Sequence, residues 1–89
     1  MQGDMRVKKM LKNERGQLTY CEYMNGHWQR WEFNDRGLRI RWEDSRGKWY
    51  TIEYDSNDRE ICRRYKSHRM IRYIYNDAGV LVRRIDSRY

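Results

Sequence analysis

The feature that most constrains this chain is an internal repeat with a period of 21 residues. Several columns of similar residues align when the sequence is shifted by that period. They include Gly16/Gly37/Asp58/Gly79, Asn13/Asn34/Asp55/Asn76 and Met10/Trp31/Ile52/Tyr73. The repeat predicts a single domain, 1–89, built from four units at about 6–26, 27–47, 48–68 and 69–89.

Each unit contains two runs of about seven residues in which apolar and polar side chains alternate, separated by turn sequences. The Asn-x-x-Gly segments that begin at Asn13, Asn34 and Asn76 are typical of turns, because Asn bonds its own backbone and glycine adopts a positive φ. Asn25-Gly26 and Ser45-Arg46-Gly47 indicate tight hairpin loops at the other ends. The pattern predicts an all-β meander of about eight antiparallel strands. The predicted strands are 6–12, 17–23, 27–33, 38–44, 48–54, 59–65, 69–75 and 80–86.

Because side chains alternate across a strand, the two faces of the predicted sheet can be read from the sequence. One face, predicted to be buried, collects Met10, Cys21, Tyr23, Trp31, Phe33, Leu38, Ile40, Trp42, Tyr50, Ile52, Tyr54, Ile61, Tyr65, Ile71, Tyr73, Tyr75, Val80 and Val82. Arg63 and Arg84 are the main exceptions on it. The other face is predicted to be exposed and to carry cross-strand Arg–Glu pairs, interrupted by the column Trp28, Trp49 and Met70.

An apolar sheet face must be buried against something, and the sequence predicts no helix to cover it. One alternative is a single sheet that curls or closes into a small barrel, and the other is a sheet packed face to face in a dimer. We expect self-association, and therefore a homo-oligomer, in preference to a monomer. The two outermost strands are charged, as exposed edges commonly are, by Lys8, Lys9, Lys12, Arg83, Arg84 and Arg88.

Composition narrows the classes of function. The net charge is +7 and the mean hydropathy is -1.28, but an aromatic content of 15% is too high for a disordered chain. Short apolar runs and the polar start, residues 1–4, predict no membrane span and no signal peptide, and therefore a cytoplasmic protein. A domain of this size rarely encloses both a core and a deep catalytic pocket, so we expect a non-catalytic binding or assembly protein without a cofactor.

Two Cys-x5-His pairs, Cys21/His27 and Cys62/His68, raise zinc binding as an alternative. The interval between the two thiols is not a multiple of the repeat, so we expect them on opposite faces of the sheet. Ordinary reduced thiols are favoured, with no metal site and no disulfide. The glutamates recur along one exposed face, which indicates a structural ladder and no catalytic residue.

The candidate binding residues lie on the charged face, and they are Trp28, Arg30, Arg39, Arg41, Trp49, Arg72 and Arg83. Arginines beside exposed tryptophan rings suit RNA or single-stranded DNA, although glutamates on the same face offset much of the charge. The alternative for the tryptophan column is packing against the stems of neighbouring arginines. The sequence therefore predicts a binding surface for a bacterial protein, a ribonucleoprotein complex or a nucleic acid, and leaves the choice open.

The segments 31–37, 52–58 and 73–79, each followed three residues later by Ile or Val, resemble the Tyr-Asp repeats of Rhs and teneurin-type proteins. They are also similar to short tandem repeats in small bacterial and phage-encoded proteins and, more loosely, to MORN repeats. The chain departs from the pattern at Asp58 and His68, where glycine would be typical. The resemblance implies a β scaffold without catalytic residues.

The same resemblance implies a phage or mobile-element protein. The function we expect from it is that of an inhibitor, of the anti-CRISPR kind, which engages a bacterial machine such as a defence nuclease or its guide RNA. A self-assembling structural module and a single-stranded nucleic-acid-binding protein are the two alternatives.

Overall fold

The computed structural model of the protein describes residues 6–89, all as strands and turns. The predicted polar start, residues 1–4, lies outside the described residues. The strands are β1 (Val7–Lys12), β2 (Leu18–Tyr23), β3 (Trp28–Phe33), β4 (Arg39–Asp44), β5 (Trp49–Tyr54), β6 (Glu60–Tyr65), β7 (Arg69–Tyr75) and β8 (Leu81–Arg88). They belong to one sheet in the order β1 to β8, so the predicted all-β meander is confirmed. Since β1 and β8 end this order, the described sheet is not closed, and the small-barrel alternative is wrong.

The turns form by the predicted local chemistry. The side-chain oxygen of Asn13 accepts hydrogen bonds from the backbone N–H groups of Arg15 and Gln17, both at 3.0 Å. The same pair of bonds, two and four residues on, recurs at Asn34, Asp44, Asp55 and Asn76. Because these bonds close each turn locally, the strand bounds follow the sequence closely, and only β8 continues past its predicted end.

The chain divides into two compact units, one ending at Trp49 and the other beginning at Tyr50, which we call the first half and the second half. The prediction of a single domain stays a prediction. In the first half the buried side chain is Cys21, which lies opposite Met10 and Gln29 on the neighbouring strands. Trp31 and Trp42 lie directly opposite each other on the same side of β3 and β4.

The second half has three buried side chains, Ile52, Cys62 and Ile71. Arg63 lies opposite both Ile52 and Ile71, on the apolar face where the sequence puts it as an exception. There its guanidinium lies 4.8 Å from the ring centroid of Tyr50. It also donates hydrogen bonds of 3.0 and 2.9 Å to the carboxylate of Glu60, at the start of its own strand. The charge is therefore accommodated by a ring and a carboxylate.

The prediction of a fully buried apolar face is wrong for its outer members. Met10, Val80 and Val82 are 52%, 57% and 58% exposed. Met10 lies on β1, Val82 lies on β8, and Val80 immediately precedes β8. Both are outermost strands, so these side chains have a neighbouring strand on one side only, and alternation alone does not bury them.

Candidate binding surfaces

Four of the predicted site residues lie in the first half on one surface, which we call the Arg41 face. Arg30 lies opposite Glu43, and Arg41 lies opposite Glu32, across the β3–β4 pair. Trp28 lies opposite Glu22 on β2. Trp49 joins them because the guanidinium of Arg41 lies over its ring. Directly opposed residues share a face, so the sequence places these side chains correctly relative to one another.

The arginines of the Arg41 face are paired with carboxylates. Arg30 donates a hydrogen bond of 2.9 Å from Nε to Glu43, and this bond lowers the pKa of Glu43 below its ordinary value. The guanidinium of Arg41 lies 3.4 Å from the carboxylate of Glu32 and 3.5 Å from that of Glu43. The positive charge of this face is therefore largely matched within the fold.

The tryptophan rings of the Arg41 face are also engaged. The guanidinium of Arg30 lies 5.7 Å from the ring centroid of Trp28, and that of Arg41 lies 5.4 Å from that of Trp49. Tyr20 stacks on Trp28 with the ring centroids 6.2 Å apart and the planes at 26°. In this half the tryptophans pack against arginines and a tyrosine, as the alternative interpretation of the column proposed. A base would have to displace these contacts in order to stack.

Arg39 is set apart from the other predicted residues. It is exposed, begins β4 and lies opposite Phe33, where the register of β3 and β4 shifts. The irregularity separates it from the regular ladder that holds Arg30 and Arg41.

Arg72 and Arg83 lie in the second half on a surface that we call the Arg72 face. Arg72 lies opposite Cys62 on β6 and Ile85 on β8, and Arg83 lies opposite Ile74 on β7. Both arginines are exposed. Arg64 belongs to the same face and is already paired with the carboxylate of Glu53.

The two halves match position by position at a shift of two repeat periods. The matched pairs are Arg30/Arg72, Arg41/Arg83, Glu22/Arg64, Glu32/Ile74 and Glu43/Ile85. The cross-strand pairs match as well, since Arg30–Glu43 becomes Arg72–Ile85 and Arg41–Glu32 becomes Arg83–Ile74. The second half keeps both arginines and replaces the carboxylate opposite each of them with an isoleucine.

The other arginines of the second half are engaged. Six of the eight in residues 50–89 contact a carboxylate, an aromatic ring or a backbone oxygen: Arg59, Arg63, Arg64, Arg69, Arg84 and Arg88. Arg72 and Arg83 are the two whose side chains form no such contact with any residue in 6–89. They are diagonal neighbours on adjacent strands, an arrangement in which residues lie about 7–8 Å apart. Two arginines without a carboxylate partner in residues 6–89 therefore occupy neighbouring positions on the same face.

Sequence reasoning found both arginines and Met70 on this face but missed the isoleucines that lie opposite the arginines. Ile74 is 42% exposed, and Ile85 and Met70 are half-buried on the same face. The sequence contains the information needed to find them. When units two periods apart are aligned, Glu32 and Glu43 match Ile74 and Ile85. When adjacent units are aligned, these columns contain several residue types and the replacement is not evident. The Arg72 face can bind a carboxylate or a phosphate between apolar flanks.

Neither a metal centre nor a membrane span is found in the part of the chain that the structure describes. Cys21 and Cys62 are free and buried, and no three His, Cys, Asp or Glu residues of 6–89 cluster so as to hold a metal ion. No helix there has the length and apolar character needed to cross a membrane. Comparison with protein-family models and with curated proteins finds no match to this chain, so its resemblance to Tyr-Asp repeats stays a prediction.

Proposed function

We propose that this chain is a non-catalytic binding protein whose Arg72 face engages an acidic surface of a partner protein. The observation that carries the proposal is the pair Arg72 and Arg83, exposed and without a carboxylate, set opposite Ile85 and Ile74. A partner carboxylate supplies the contact that Glu43 and Glu32 supply in the first half.

The apolar neighbours strengthen such a contact. Arginine binds a carboxylate through two parallel hydrogen bonds, and the bond strengthens where water is excluded. Isoleucine side chains beside each guanidinium exclude water once a partner surface covers them. Arginines among apolar side chains are also typical of the energetically important centre of protein interfaces.

A protein is favoured over a single-stranded nucleic acid because no aromatic ring contacts Arg72 or Arg83 or lies opposite them among residues 6–89. The position that matches Trp28 is Met70, and among the described strand residues of the second half this face carries no aromatic side chain. Stacking contributes about 1–3 kcal/mol per base in proteins that bind single strands. The phosphate backbone alone would have to provide the binding energy here.

The test is affinity capture from a bacterial lysate with three tagged forms of the full chain. They are the unmodified protein, the double variant Arg72→Gln/Arg83→Gln and the matched control Arg30→Gln/Arg41→Gln. We expect the unmodified protein and the control to retain the same protein after nuclease treatment, and the Arg72→Gln/Arg83→Gln variant to lose it. Capture that nuclease abolishes would favour a nucleic acid, and equal loss in both double variants would refute the role of the Arg72 face.

Salt dependence gives a second measurement on the same three proteins. Binding that depends on exposed arginines weakens as ionic strength rises, because the charges are screened. We expect the captured protein to elute at moderate salt. The prediction of a phage or mobile-element origin, with a defence nuclease or its guide RNA as the target, stays a prediction.

A further inference from the structure

We infer that the acidic partner binds by adding an extended segment to the free edge of β8. This inference specifies how the partner binds, and it rests on the proposed function. In the described chain β8 pairs with β7 alone and ends the strand order. The N–H and C=O groups on its other side therefore form a template for a further strand.

The β8 edge is regular where the β1 edge is not. The six residue pairs from Arg69↔Arg88 to Ile74↔Arg83 run without a register shift. In contrast, the β1–β2 pairing shifts near both ends of β1, between Val7 and Lys9 and again at Lys12. Bulges bend an edge away from straight pairing and are a common protection against strand addition. β8 also has a register shift, between Leu81 and Arg83, but its unbroken stretch from Arg83 to Arg88 is the longer template of the two edges.

The positive charge of β8 determines which kind of strand can pair with its free edge. β8 carries Arg83, Arg84 and Arg88, and its one carboxylate, Asp86, is already bonded by Arg69 at 2.7 Å. A second copy of β8 would bring these arginines against the same arginines, and β1 of a second copy would bring three lysines. An acidic segment gains attraction at the positions where a second copy is repelled.

The side chains of β8 also indicate the pattern of that segment. Arg83 and Arg84 are consecutive in the strand and point to opposite faces, so both faces of an added strand can place a carboxylate beside an arginine. Val80, Leu81 and Val82, just before them, are 57%, 48% and 58% exposed and suit an apolar residue. Arg72 lies on the same face one strand further in, on β7, so the Arg72 face is continuous with this edge.

The experiment uses the full chain and a synthetic peptide of alternating Glu and Val, acetylated and amidated at its ends. Amide hydrogen exchange is followed along β8 with and without the peptide. We expect every second amide of residues 83–88 to exchange at least about tenfold more slowly when the peptide is bound, because alternate N–H groups of an edge strand face outward. The same peptide N-methylated on every residue can pair along neither edge and should bind at least about tenfold more weakly.

The controls separate this inference from the proposed function. If Arg72→Gln/Arg83→Gln weakens peptide binding while the β8 amides stay unprotected and N-methylation has no effect, strand addition is wrong and the Arg72 face stands. If the β8 amides are protected without peptide and light scattering shows a dimer, the occupant is a second copy and the inference is wrong. Failure of the peptide to bind at all also overturns the inference, whereas the lysate capture continues to test the function.

Discussion

Arg30 in the first half and Arg72 in the second half occupy the same place in the repeat and the same cross-strand register, yet their surroundings differ. Arg30 contacts the carboxylate of Glu43 and the ring of Trp28, whereas Arg72 lies opposite Ile85 and contacts neither a carboxylate nor a ring of the described chain. Arg41 and Arg83 differ in the same manner. The sheet fixes where an arginine lies, and the residue across from it decides whether the charge is used inside the fold.

The halves also differ in what they bury. The first half buries a thiol, Cys21, which lies opposite Met10 and Gln29, and the second half buries Ile52, Cys62 and Ile71. The stability of the second half should therefore depend on a few aliphatic side chains.

The largest effect we expect is from Ile71→Ala, which truncates a side chain that is only 3% exposed. The loss of buried aliphatic groups and the cavity left behind should lower the free energy of unfolding by about 2–5 kcal/mol, as measured by urea denaturation. Ile74→Ala, three residues along on the opposite face of β7, is the matched control because its side chain is 42% exposed. An equal loss in both variants would show that burial does not distinguish the two faces.

The next largest effect comes from making the second half resemble the first. Ile74→Glu/Ile85→Glu places a carboxylate opposite each of Arg83 and Arg72, as in the first half. We expect affinity for the captured partner to fall at least about tenfold, which is about 1.4 kcal/mol, because the arginines then have partners within the chain. The urea midpoint should stay close to that of Ile74→Gln/Ile85→Gln, which loses the same apolar groups, since exposed pairs contribute about 0–1 kcal/mol. Ile74→Gln/Ile85→Gln is the neutral control, and unchanged affinity in the Glu variant would contradict the proposed role.

A smaller effect should come from the hairpin turns, where Gly26 and His68 are matched across the halves with φ of 89° and 66°. Gly26→His should lower stability by about 1–2 kcal/mol through backbone strain alone, because an added Cβ meets no atom within 4 Å. His68→Gly should raise stability by less than that, since it removes the contact of the imidazole with Tyr89, whose ring centroid lies 5.4 Å away. Urea midpoints of both variants decide this, and a stabilised Gly26→His variant would rule out strain as the cause.

The smallest effect is the part of the pH dependence of stability that Glu43 contributes in the first half. The hydrogen bond from Arg30 lowers the pKa of Glu43 below 4.5, so its stabilising contribution is present above that pH and is lost as pH falls through the lowered pKa. The urea midpoint of Glu43→Gln should therefore fall less steeply than that of the unmodified protein below about pH 4.5. Ile85→Gln changes the matched position, which has no carboxylate, and should leave the slope unchanged. Identical slopes in all three proteins would contradict the linkage.

The sequence predicted the features that depend on local chemistry. Asn13 and Gly16 set a turn through bonds within a few residues, and strict alternation assigned Arg30 and Arg41 to one face. Exposure was predicted less well because it depends on neighbouring strands. Val82 is exposed beside an edge, and Cys62 is buried on a charged face of an inner strand, between the longer side chains of Glu53 and Arg72.

The contacts of the candidate site could be predicted only in part. The arginines were found from their columns, but the stacking of Arg41 on Trp49 depends on side-chain conformations that no column encodes. Arg72 and Arg83 lack a carboxylate partner because an isoleucine lies opposite each of them on the neighbouring strand. An alignment at one repeat period does not show this replacement, because its columns mix several residue types.

The turns closed by Asn13, Asn34, Asp44, Asp55 and Asn76 have a consequence for how such a chain can change in length. Each is closed by bonds within its own short segment, so cutting the chain at one turn and inserting a further repeat unit leaves the bonds that close the other turns intact. The insertion adds two strands to the meander and one more cross-strand position that can carry either a carboxylate or an isoleucine. Duplication of the gene segment for a single unit would therefore lengthen the protein and add an arginine that can bind a further partner.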